Sequence, residues 1–551
     1  MAMKSRPCVL GFLAMTFVDI IRGTMIAQQK LDDLRRLITE SIRIQRGSTS
    51  QRVDYIDSGN VLADVGANQN HVIYGRRGCG KTLLLHESGD RLPDSTKRIY
   101  LNCEDFKQHT FPNVLIEILE AIFLELERNL SGWFGRKGTQ REIIKGIREK
   151  LSKLREVPDT LDEHVTRSES ALTMRARSLS MGGGVGDNKA AVAADLGKAY
   201  RVDATSGETS QFRRISQKQQ DLDLGLPATK QKLREFFELS KRVKAIFIQI
   251  DDFYHLRLPD QPLVVDYVHR LCKDLPIYFK VATLRHSSSL FIERDGQPIG
   301  VQERHDFLPI DIDFTFENFD KTERQLQRIF HEYGRLVDIS NEEMNSLFKG
   351  EGFRRLVVAG GGVPRDCLSI FLDAHTNAKE VTDGRIGKDT IRLLSLQTLE
   401  DRIKDLKKDS QANQQDELLQ GIYAIREFCL ESRTNAFVVE ERELRDIPWF
   451  NALAYRLLDY RIIHAAASAF THKTHPGTYR AFVIDVGTYG FWRKLEGKLN
   501  EIDVSEKDAK EKLRSAPWLR EKELDDLRRK APRHAESRLK EEPIEKSDRR
   551  S

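Results

Sequence analysis

The sequence predicts an α/β protein built on a parallel β-sheet, with a helical region and a smaller α+β part after it. The first supporting observation is a short apolar segment, 71–74, followed directly by a glycine-rich loop and a leucine-rich helix start. The second is the segment 245–250, which is apolar almost throughout, as expected of a strand buried on both faces. Further apolar segments at 98–103, 277–283 and 308–314 are separated by helical patterns, and this alternation indicates a parallel sheet.

The glycine-rich loop has the spacing of a phosphate-binding loop between a strand and a helix. It reads Gly75, Arg76, Arg77, Gly78, Cys79, Gly80, Lys81 and Thr82. The glycines let backbone N–H groups turn inward around a phosphate, and the start of the helix adds partial positive charge. Lys81 is placed to reach the β- and γ-phosphates, and the Thr82 hydroxyl is placed to bind Mg²⁺. We therefore expect all eight residues to bind the nucleotide, with ATP and Mg²⁺ as cofactors.

Two carboxylates, Asp251 and Asp252, follow the strand 245–250. Because parallel strands end at one edge of a sheet, both are expected beside the phosphate loop. Asp251 is placed to hold the metal's ligand shell, and Asp252 is placed to polarise the attacking water. The sequence therefore predicts ATP hydrolysis, with Asp252 and Lys81 as catalytic residues.

Polar and basic residues follow two later elements. Thr283 and Arg285 stand at the end of the strand 277–283, where one of them can sense the γ-phosphate; an ordinary strand end is the alternative. Arg365 follows Pro364 at the start of an amphipathic helix, and proline in the first turn is compatible with helix initiation. We expect this helix to present Arg365 outward from a rigid N-terminus.

The phosphate loop, the strand ending in two aspartates, the polar strand end and the Gly-x-Pro-Arg segment together resemble the initiator branch of AAA+ ATPases, over about residues 50–490. That branch includes the eukaryotic origin-recognition subunits and their archaeal and bacterial relatives. The related STAND signalling ATPases share most of these features, but the Gly-x-Pro-Arg form favours the initiator branch. The segment 53–56 also resembles the part that covers the adenine ring in this family.

The resemblance implies a role for each matching residue. It identifies Lys81 and Thr82 as Walker A, Asp251 and Asp252 as Walker B, Thr283 or Arg285 as sensor 1, and Arg365 as sensor 2. It further identifies Arg294 or Arg304 as the arginine that completes the site of a neighbouring subunit. A homo-oligomer or a complex with a partner protein is therefore expected.

Domain boundaries follow from the motifs and from changes in composition. We expect an N-terminal helical segment (1–50), an AAA+ core (51–317) with an insertion at about 132–226, a helical lid (318–410), a winged-helix domain (411–495) and a charged tail (496–551). The tail mixes charges almost evenly, which predicts an exposed helix that fades into disorder.

The insertion contains a basic amphipathic helix and a stretch rich in glycine, alanine and serine at 178–197. The stretch is typical of a flexible hairpin or loop. The helix has an apolar face (Ile143, Ile147, Leu151, Leu154) and basic residues around the rest (Lys145, Arg148, Lys150, Lys153, Arg155). A solvated helix face and a contact with nucleic acid or a partner are both compatible with this pattern.

The winged helix is predicted from helices at 418–430, 443–446 and 449–460, and from strands at 435–439, 462–470 and 479–486. Pro476 and Gly477 join the last two strands and are typical of a hairpin. The helix 449–460 carries a single basic residue, Arg456, and the hairpin offers His472, Lys473, His475 and Arg480. Because this charge is sparse for reading a DNA groove, duplex DNA and a protein partner both remain open.

Composition favours a cytoplasmic protein of two or three domains. The chain has 551 residues and a formal charge of only +5, which does not by itself indicate nucleic acid. Its six cysteines include no CxxC pair, as expected in a reducing compartment. The apolar run within residues 1–23 contains Asp19 and is too short to span a bilayer, so no membrane association is expected. Met25 is an alternative start.

We therefore predict an ATP-dependent AAA+ switch that controls assembly on DNA or with a partner protein. The large insertion and the lack of an initiator-type basic arm favour an accessory ATPase of bacterial antiviral defence or of mobile elements over a housekeeping initiator. The alternative is a STAND-like signalling ATPase that oligomerises on sensing a ligand and recruits an effector.

Overall fold

The computed structural model describes residues 26–42, 53–130, 138–156, 217–240, 242–381, 384–409, 412–490 and 499–531. The sequence-based interpretations of residues 1–23, of the stretch 178–197 and of the last twenty residues lie outside these ranges. No helix in the described part of the chain is both long and apolar enough to cross a membrane.

A parallel sheet forms the centre of the described N-terminal half. Its strands are β1 (His71–Tyr74), β2 (Thr96–Asn102), β3 (Ala245–Asp251), β4 (Ile277–Thr283) and β7 (Leu308–Asp311). They lie in the order β2-β3-β4-β1-β7, and every neighbouring pair is parallel. β3 is buried along its whole length, as its apolar sequence requires. Strands β5 (Phe291–Arg294) and β6 (Gln297–Gly300) form a separate hairpin.

Helices precede and flank the sheet. They are α1 (Gln28–Ser41), α2 (Val61–Val65), α3 (Lys81–Asp90), α4 (Asn113–Leu130), α5 (Gly138–Glu156), α6 (217–239) and α7 (Gln261–Cys272). The apolar face of α4 joins buried residues of the sheet in one core, whereas α1 packs against the lid through Leu34, Leu37 and Ile38.

The basic helix α5 and the helix α6 are packed into this core. Ile144, Ile147 and Leu151 of α5 are buried together with α4. Basic residues of α5 pair with acidic residues of α4: Arg148 with Glu127, and Arg155 with Glu120 at 3.2 Å. Helix α6 continues across residue 226, where the insertion was expected to end, because Leu222, Leu226, Leu233 and Phe236 are buried.

The lid consists of helices that enclose an apolar core. They are α8 (Phe319–Arg335), α9 (Asn341–Ser346), α10 (Gly352–Ala359), α11 (Pro364–Val381) and α12 (Lys388–Asp409). Helix α9 begins with a capping box, in which the Ser340 and Glu343 side chains bind each other's backbone N–H groups. Helix α11 begins at Pro364, as predicted.

A C-terminal α+β unit follows the lid. It comprises α13 (Ala412–Glu431), β8 (Ala436–Glu440), α14 (Glu441–Asp446), α15 (Pro448–Asp459), β9 (Ile463–Phe470) and β10 (Tyr479–Ile484). The antiparallel sheet has the order β8-β10-β9. These elements lie where the winged helix was predicted, and Gly477 in the hairpin has a φ of +123° that favours glycine.

The interpretation of the chain from residue 496 as a charged, exposed tail was wrong for residues 499–531. This segment, which includes α16 (Ala509–Leu513) and α17 (Glu521–Lys530), covers the C-terminal unit. Backbone hydrogen bonds join Val438 of the edge strand β8 to Pro517 and Leu519. Leu513, Leu519 and Leu524 are buried. Because these leucines are widely spaced among charged residues, the sequence shows no clear apolar face.

A fully buried lysine holds the N-terminal end of the sheet. The Lys280 Nζ of β4 donates to the carbonyl oxygens of Ala67 and Gln69, both at 2.7 Å, and lies 2.9 Å from Nδ1 of His71. It also lies 4.4 Å from the centre of the Phe247 ring. Burial lowers the pKa of Lys280 to about 7. Lys280 thus secures the turn that leads into β1 and the phosphate loop.

This burial predicts a pH-dependent stability. Between the folded pKa of about 7 and the ordinary value of about 10.4, the unfolded chain binds more protons at Lys280 than the folded chain does. The free energy of unfolding should therefore rise with pH in that window, by up to about 1.4 kcal/mol per pH unit relative to Lys280→Met. Urea unfolding at several pH values measures the difference. The exposed Lys273→Met is the control, and equal slopes for Lys280→Met and wild type would contradict the prediction.

Candidate nucleotide-binding site

The phosphate loop connects the end of β1 at Tyr74 to the start of α3 at Lys81. Gly78 and Gly80 have φ values of +87° and +95°, which a residue with a side chain adopts at a cost. A Cβ atom on Gly78 would lie 2.8 Å from the Cβ of Arg365. Glycine therefore supplies both the turn and the close approach of the lid helix α11.

The Lys81 side chain lies within the loop. Its Nζ donates to the carbonyl oxygens of Gly75, at 2.7 Å, and Arg76, at 3.2 Å, and it lies 6.0 Å from the centre of the Tyr254 ring. The side chain is buried. The amine is thus held inside the loop by neutral carbonyl groups, for which phosphate oxygens can substitute.

Two other side chains of the loop face away from the predicted phosphates. Arg76 donates from Nε to Oδ2 of Asp313 at 2.6 Å, and the Cys79 thiol donates to Oδ1 of the same carboxylate at 3.2 Å. Burial raises the pKa of the Cys79 thiol, so it stays protonated as the donor. The side chains of Arg76 and Cys79 therefore attach the loop to the chain after β7. These two residues can bind a nucleotide only through their backbone groups.

The Arg77 side chain extends towards the lid. It pairs with Asp409 at the end of α12 at 2.6 Å and lies 5.8 Å from the centre of the Tyr254 ring. The Arg77 carbonyl oxygen accepts a hydrogen bond from Arg461 of the C-terminal unit at 2.6 Å. The loop is thus tied to two regions that follow the core.

The first aspartate of the pair lies next to Thr82. Asp251 is completely buried and accepts a hydrogen bond from the Tyr100 hydroxyl group at 2.8 Å, and the neighbouring Thr82 hydroxyl group favours its ionised form. Burial and then the neighbouring charge of Asp252 raise the pKa of Asp251 to about 6. Asp252 has a φ of +50° and its backbone N–H donates to Asp251 at 2.9 Å. This local turn brings Asp252 to the cavity wall.

These residues fit a magnesium site of the kind that a nucleotide completes. Mg²⁺ in such sites is held by one or two protein oxygens together with phosphates and water. The Thr82 hydroxyl and the Asp251 carboxylate are neighbours and supply that donor set. No group of three or more His, Cys, Asp or Glu side chains suited to a metal occurs elsewhere among the described residues.

One cavity of about 1110 Å³ joins the loop, Asp252 and the lid. Lys81, Thr82, Asp252 and Arg365 all line it. Arg365 is exposed, and its backbone N–H lies 3.4 Å from the carbonyl oxygen of Gly78. Four residues predicted from three separate segments therefore meet at one place.

Part of the cavity wall contains apolar and aromatic side chains suited to a base. The segment 53–56 lies there, and the Tyr55 ring is 3.6 Å from the position that a Cβ on Gly80 would take. Ile329 and Tyr333 of α8 line the same cavity. The segment expected to cover the adenine is thus at the cavity, next to the phosphate loop.

The candidates for sensor 1 and for the arginine that completes a neighbouring site lie outside the set of described residues that line this cavity. Thr283 is buried and hydrogen-bonds Ser288, whereas Arg285 pairs with Asp311 at 3.4 Å and lies 4.2 Å from the centre of the Tyr74 ring. Arg294 and Arg304 are exposed. A sensor 1 role for Thr283 or Arg285, and a contribution to a neighbouring site by Arg294 or Arg304, stay predictions.

Three further residues take part in the site without having been predicted. Tyr100 holds Asp251, Tyr254 lies beside both Arg77 and Lys81, and Arg461 binds the phosphate loop. Tyr254 could have been found from its position two residues after Asp252. Arg461 has no such signal, because it lies 384 residues from its partner in sequence.

No family model matches the chain, and no curated protein matches it. Among solved structures, the chain is similar to Drosophila ORC bound to DNA, with 12% identity, a TM-score of 0.32, and coverage of 89% of this chain and 95% of that one. It is similar to the Aeropyrum pernix ORC1 protein in complex with DNA, with 13% identity, a TM-score of 0.31, and coverage of 85% and 93%. It is also similar to the Thermotoga maritima RuvB branch migration motor, with 12% identity, a TM-score of 0.27, and coverage of 64% and 75%.

The fold class follows from the chain's own features. The parallel order β2-β3-β4-β1-β7, the phosphate loop after β1 and the helical lid define an AAA+ type of P-loop fold, as the sequence predicted.

The contact between the loop and α11 predicts the effect of a single methyl group. Gly78→Ala places a Cβ where φ is +87° and where Arg365 lies 2.8 Å away, so the loop must shift. We expect the nucleotide dissociation constant to rise at least about tenfold, which is about 1.4 kcal/mol. Titration of a fluorescent ATP analogue measures this. Gly225→Ala is the matched control, because no atom lies within 4 Å of its added Cβ. Similar affinities of the two variants would contradict the prediction.

Proposed function

We propose that the chain is an AAA+ ATPase that binds and hydrolyses ATP with Mg²⁺ and uses this cycle as an assembly switch. The observation that carries this proposal is the meeting of Lys81, Thr82, Asp252 and Arg365 at one cavity, with Asp251 directly behind Thr82. A phosphate loop alone would support binding. The two aspartates beside it supply what hydrolysis needs.

The residues divide the chemistry among them. Lys81 and the backbone of the loop bind the phosphates, and Thr82 and Asp251 would hold Mg²⁺, which neutralises charge that develops on the phosphates. Asp252 accepts a hydrogen bond from the attacking water and orients it. Arg365 brings a positive charge from the lid to the γ-phosphate. Arg304 is proposed to complete the site of a neighbouring subunit.

We propose that the C-terminal unit is a winged helix and that its helix α15 makes contacts with protein, not with the DNA groove. Tyr455 of α15 stacks on His286 with ring centres 4.2 Å apart, and the Asp459 carboxylate accepts from the His286 backbone at 3.1 Å. In the hairpin, Lys473 pairs with Glu511 at 2.9 Å and Arg480 with Glu441 at 3.2 Å. These contacts favour a docking module over a reader of the DNA groove.

The exposed side of α5 is the surface that supports DNA binding best. Arg148 and Arg155 pair with α4 and Lys145 pairs with Glu149 at 3.7 Å, whereas Lys150 and Lys153 are exposed. We infer a contact with DNA phosphates that does not depend on the base sequence.

The proposed role in antiviral defence or in mobile-element control rests on the large insertion. The alternative is a STAND-like signalling ATPase, which needs no DNA.

The assignment of the two aspartates predicts separate effects on binding and hydrolysis. Asp252→Ala should bind ATP normally and hydrolyse it ~10²–10⁴-fold more slowly, because the water loses its orienting group. Lys81→Ala should lose ATP binding. Phosphate release and nucleotide titration, measured on both variants, test this. Exposed Asp64→Ala on α2 is the control. Hydrolysis by Asp252→Ala at the wild-type rate would refute the role of Asp252.

The surface of α5 predicts salt-dependent binding of duplex DNA. Each phosphate contact contributes about 0.9 to the slope of log affinity against log salt, so Lys150→Ala/Lys153→Ala should flatten the slope by about two. All DNA sequences should be weakened alike. Filter binding with ATP present measures this, and Lys522→Ala/Lys530→Ala on α17 is the control. If wild type and the α5 variant give the same slope, or if neither binds at micromolar protein, the partner-protein alternative is favoured.

A further inference from the structure

The C-terminal unit reaches into the candidate nucleotide site through one arginine. Arg461 lies between α15 and β9 in a left-handed backbone conformation with φ of +63°. Its side chain is 3% exposed, lines the same cavity as Lys81, and donates from Nη1 to the carbonyl oxygen of Arg77 at 2.6 Å. A residue outside the ATPase core thus binds the phosphate loop itself.

The surroundings of Arg461 leave its positive charge incompletely balanced. Nε lies 3.5 Å from Asp366 and Nη2 lies 3.5 Å from Asp405, but among the described residues Nε makes no hydrogen bond. Burial lowers the pKa of Arg461, and although the two aspartates oppose this, the charges of Arg402 and Arg365 add to it. A buried guanidinium in this position is stabilised by an anion that enters the cavity.

The same part of the C-terminal unit touches the loop after β4. Residues 455–464, which we term the docking corner, place Tyr455 against the His286 ring and the Asp459 carboxylate on the His286 backbone. β1 and β4 are neighbours in the sheet. The docking corner therefore contacts the loops that follow two adjacent strands at the edge where the nucleotide is expected.

We propose that Arg461 is a positioning residue of the nucleotide site and that it couples nucleotide binding to docking of the C-terminal unit. This rests on the ATP binding proposed above. A hydrogen bond to the Arg77 carbonyl polarises the peptide that Arg77 shares with Gly78, which strengthens its N–H as a donor to phosphate. The charge of Arg461 acts in the same direction. Because such coupling is reciprocal, a bound nucleotide must strengthen docking by the same factor.

Affinity measurements on the full chain test the first half of the coupling. Arg461→Ala should raise the dissociation constant of a fluorescent ATP analogue with Mg²⁺ about tenfold, within the usual range of coupling factors. Arg461→Lys should have an intermediate dissociation constant. Its ammonium group can still donate to Arg77, but it lacks the planar guanidinium group that can contact both aspartates. Arg445→Ala, at an exposed residue of α14, is the control and should match wild type.

A second variant weakens docking without touching the phosphate loop. Tyr455→Ala removes the stacking on His286 and should also raise the dissociation constant, by a smaller factor. If Arg461→Ala does not fold, as judged by circular dichroism, Tyr455→Ala and Arg461→Lys carry the test. Wild-type affinity in both of these variants would overturn the proposal.

Hydrogen exchange measures docking directly. In wild type, the nucleotide should slow exchange in the docking corner and in residues 284–288, and Arg461→Ala should abolish this change. The coupling is overturned if wild type binds nucleotide without any change in exchange at the docking corner, or if Arg461→Ala binds it as tightly as wild type. If wild type itself binds no nucleotide, the proposed function fails and the coupling fails with it.

Discussion

The arrangement of the lid and the C-terminal unit depends on one buried guanidinium. Arg402 of α12 is 1% exposed and pairs with two carboxylates, Asp366 of α11 and Asp485 after β10. It also donates to the carbonyl oxygens of Ala359, at 3.0 Å, and Arg461, at 3.1 Å. Breaking a buried ion pair costs about 3–5 kcal/mol, since it leaves an uncompensated charge. The elements that supply these partners are therefore held in one arrangement. Asp366 follows Arg365 directly, so the same interaction positions the lid arginine at the cavity.

The parts of the site that sequence predicts are those in which chemistry fixes the spacing of neighbouring residues. The phosphate loop needs its glycines, Lys81 and Thr82 in order, and Asp251 needs an apolar strand before it. Arg365 follows a helix-starting proline, which fixes its place on α11. The strands 71–74, 245–251 and 277–283 could be located because burial on both faces leaves an apolar run. Constraints on neighbouring residues of this kind can be recognised in the sequence as patterns.

The contacts that join distant segments could not be predicted in this way. Arg402 and Asp485 are 83 residues apart, and Arg76 and Asp313 are 237 residues apart. In sequence, such residues resemble the many exposed charges of a chain that is 31% charged. The same ambiguity explains why the segment 499–531 was taken for an exposed tail. Only the fold distinguishes a charge that is solvated from one that is buried with a partner.

The ion pairs of α5 and the C-terminal unit limit how charge can be used to infer a ligand. Arginines of α5 that face α4 neutralise its glutamates, and the hairpin lysine Lys473 is paired with Glu511. Their charges hold elements together, whereas Lys150 and Lys153 of α5 are exposed and can attract phosphates. Helix α15, the recognition helix expected in a winged helix, directs Tyr455 and Asp459 at His286 in the loop after β4. For the face of α15 that carries Tyr455 and Asp459 to meet another macromolecule, its docking on the core must first be released. A ligand of this face therefore competes with the contacts that bring Arg461 to the phosphate loop.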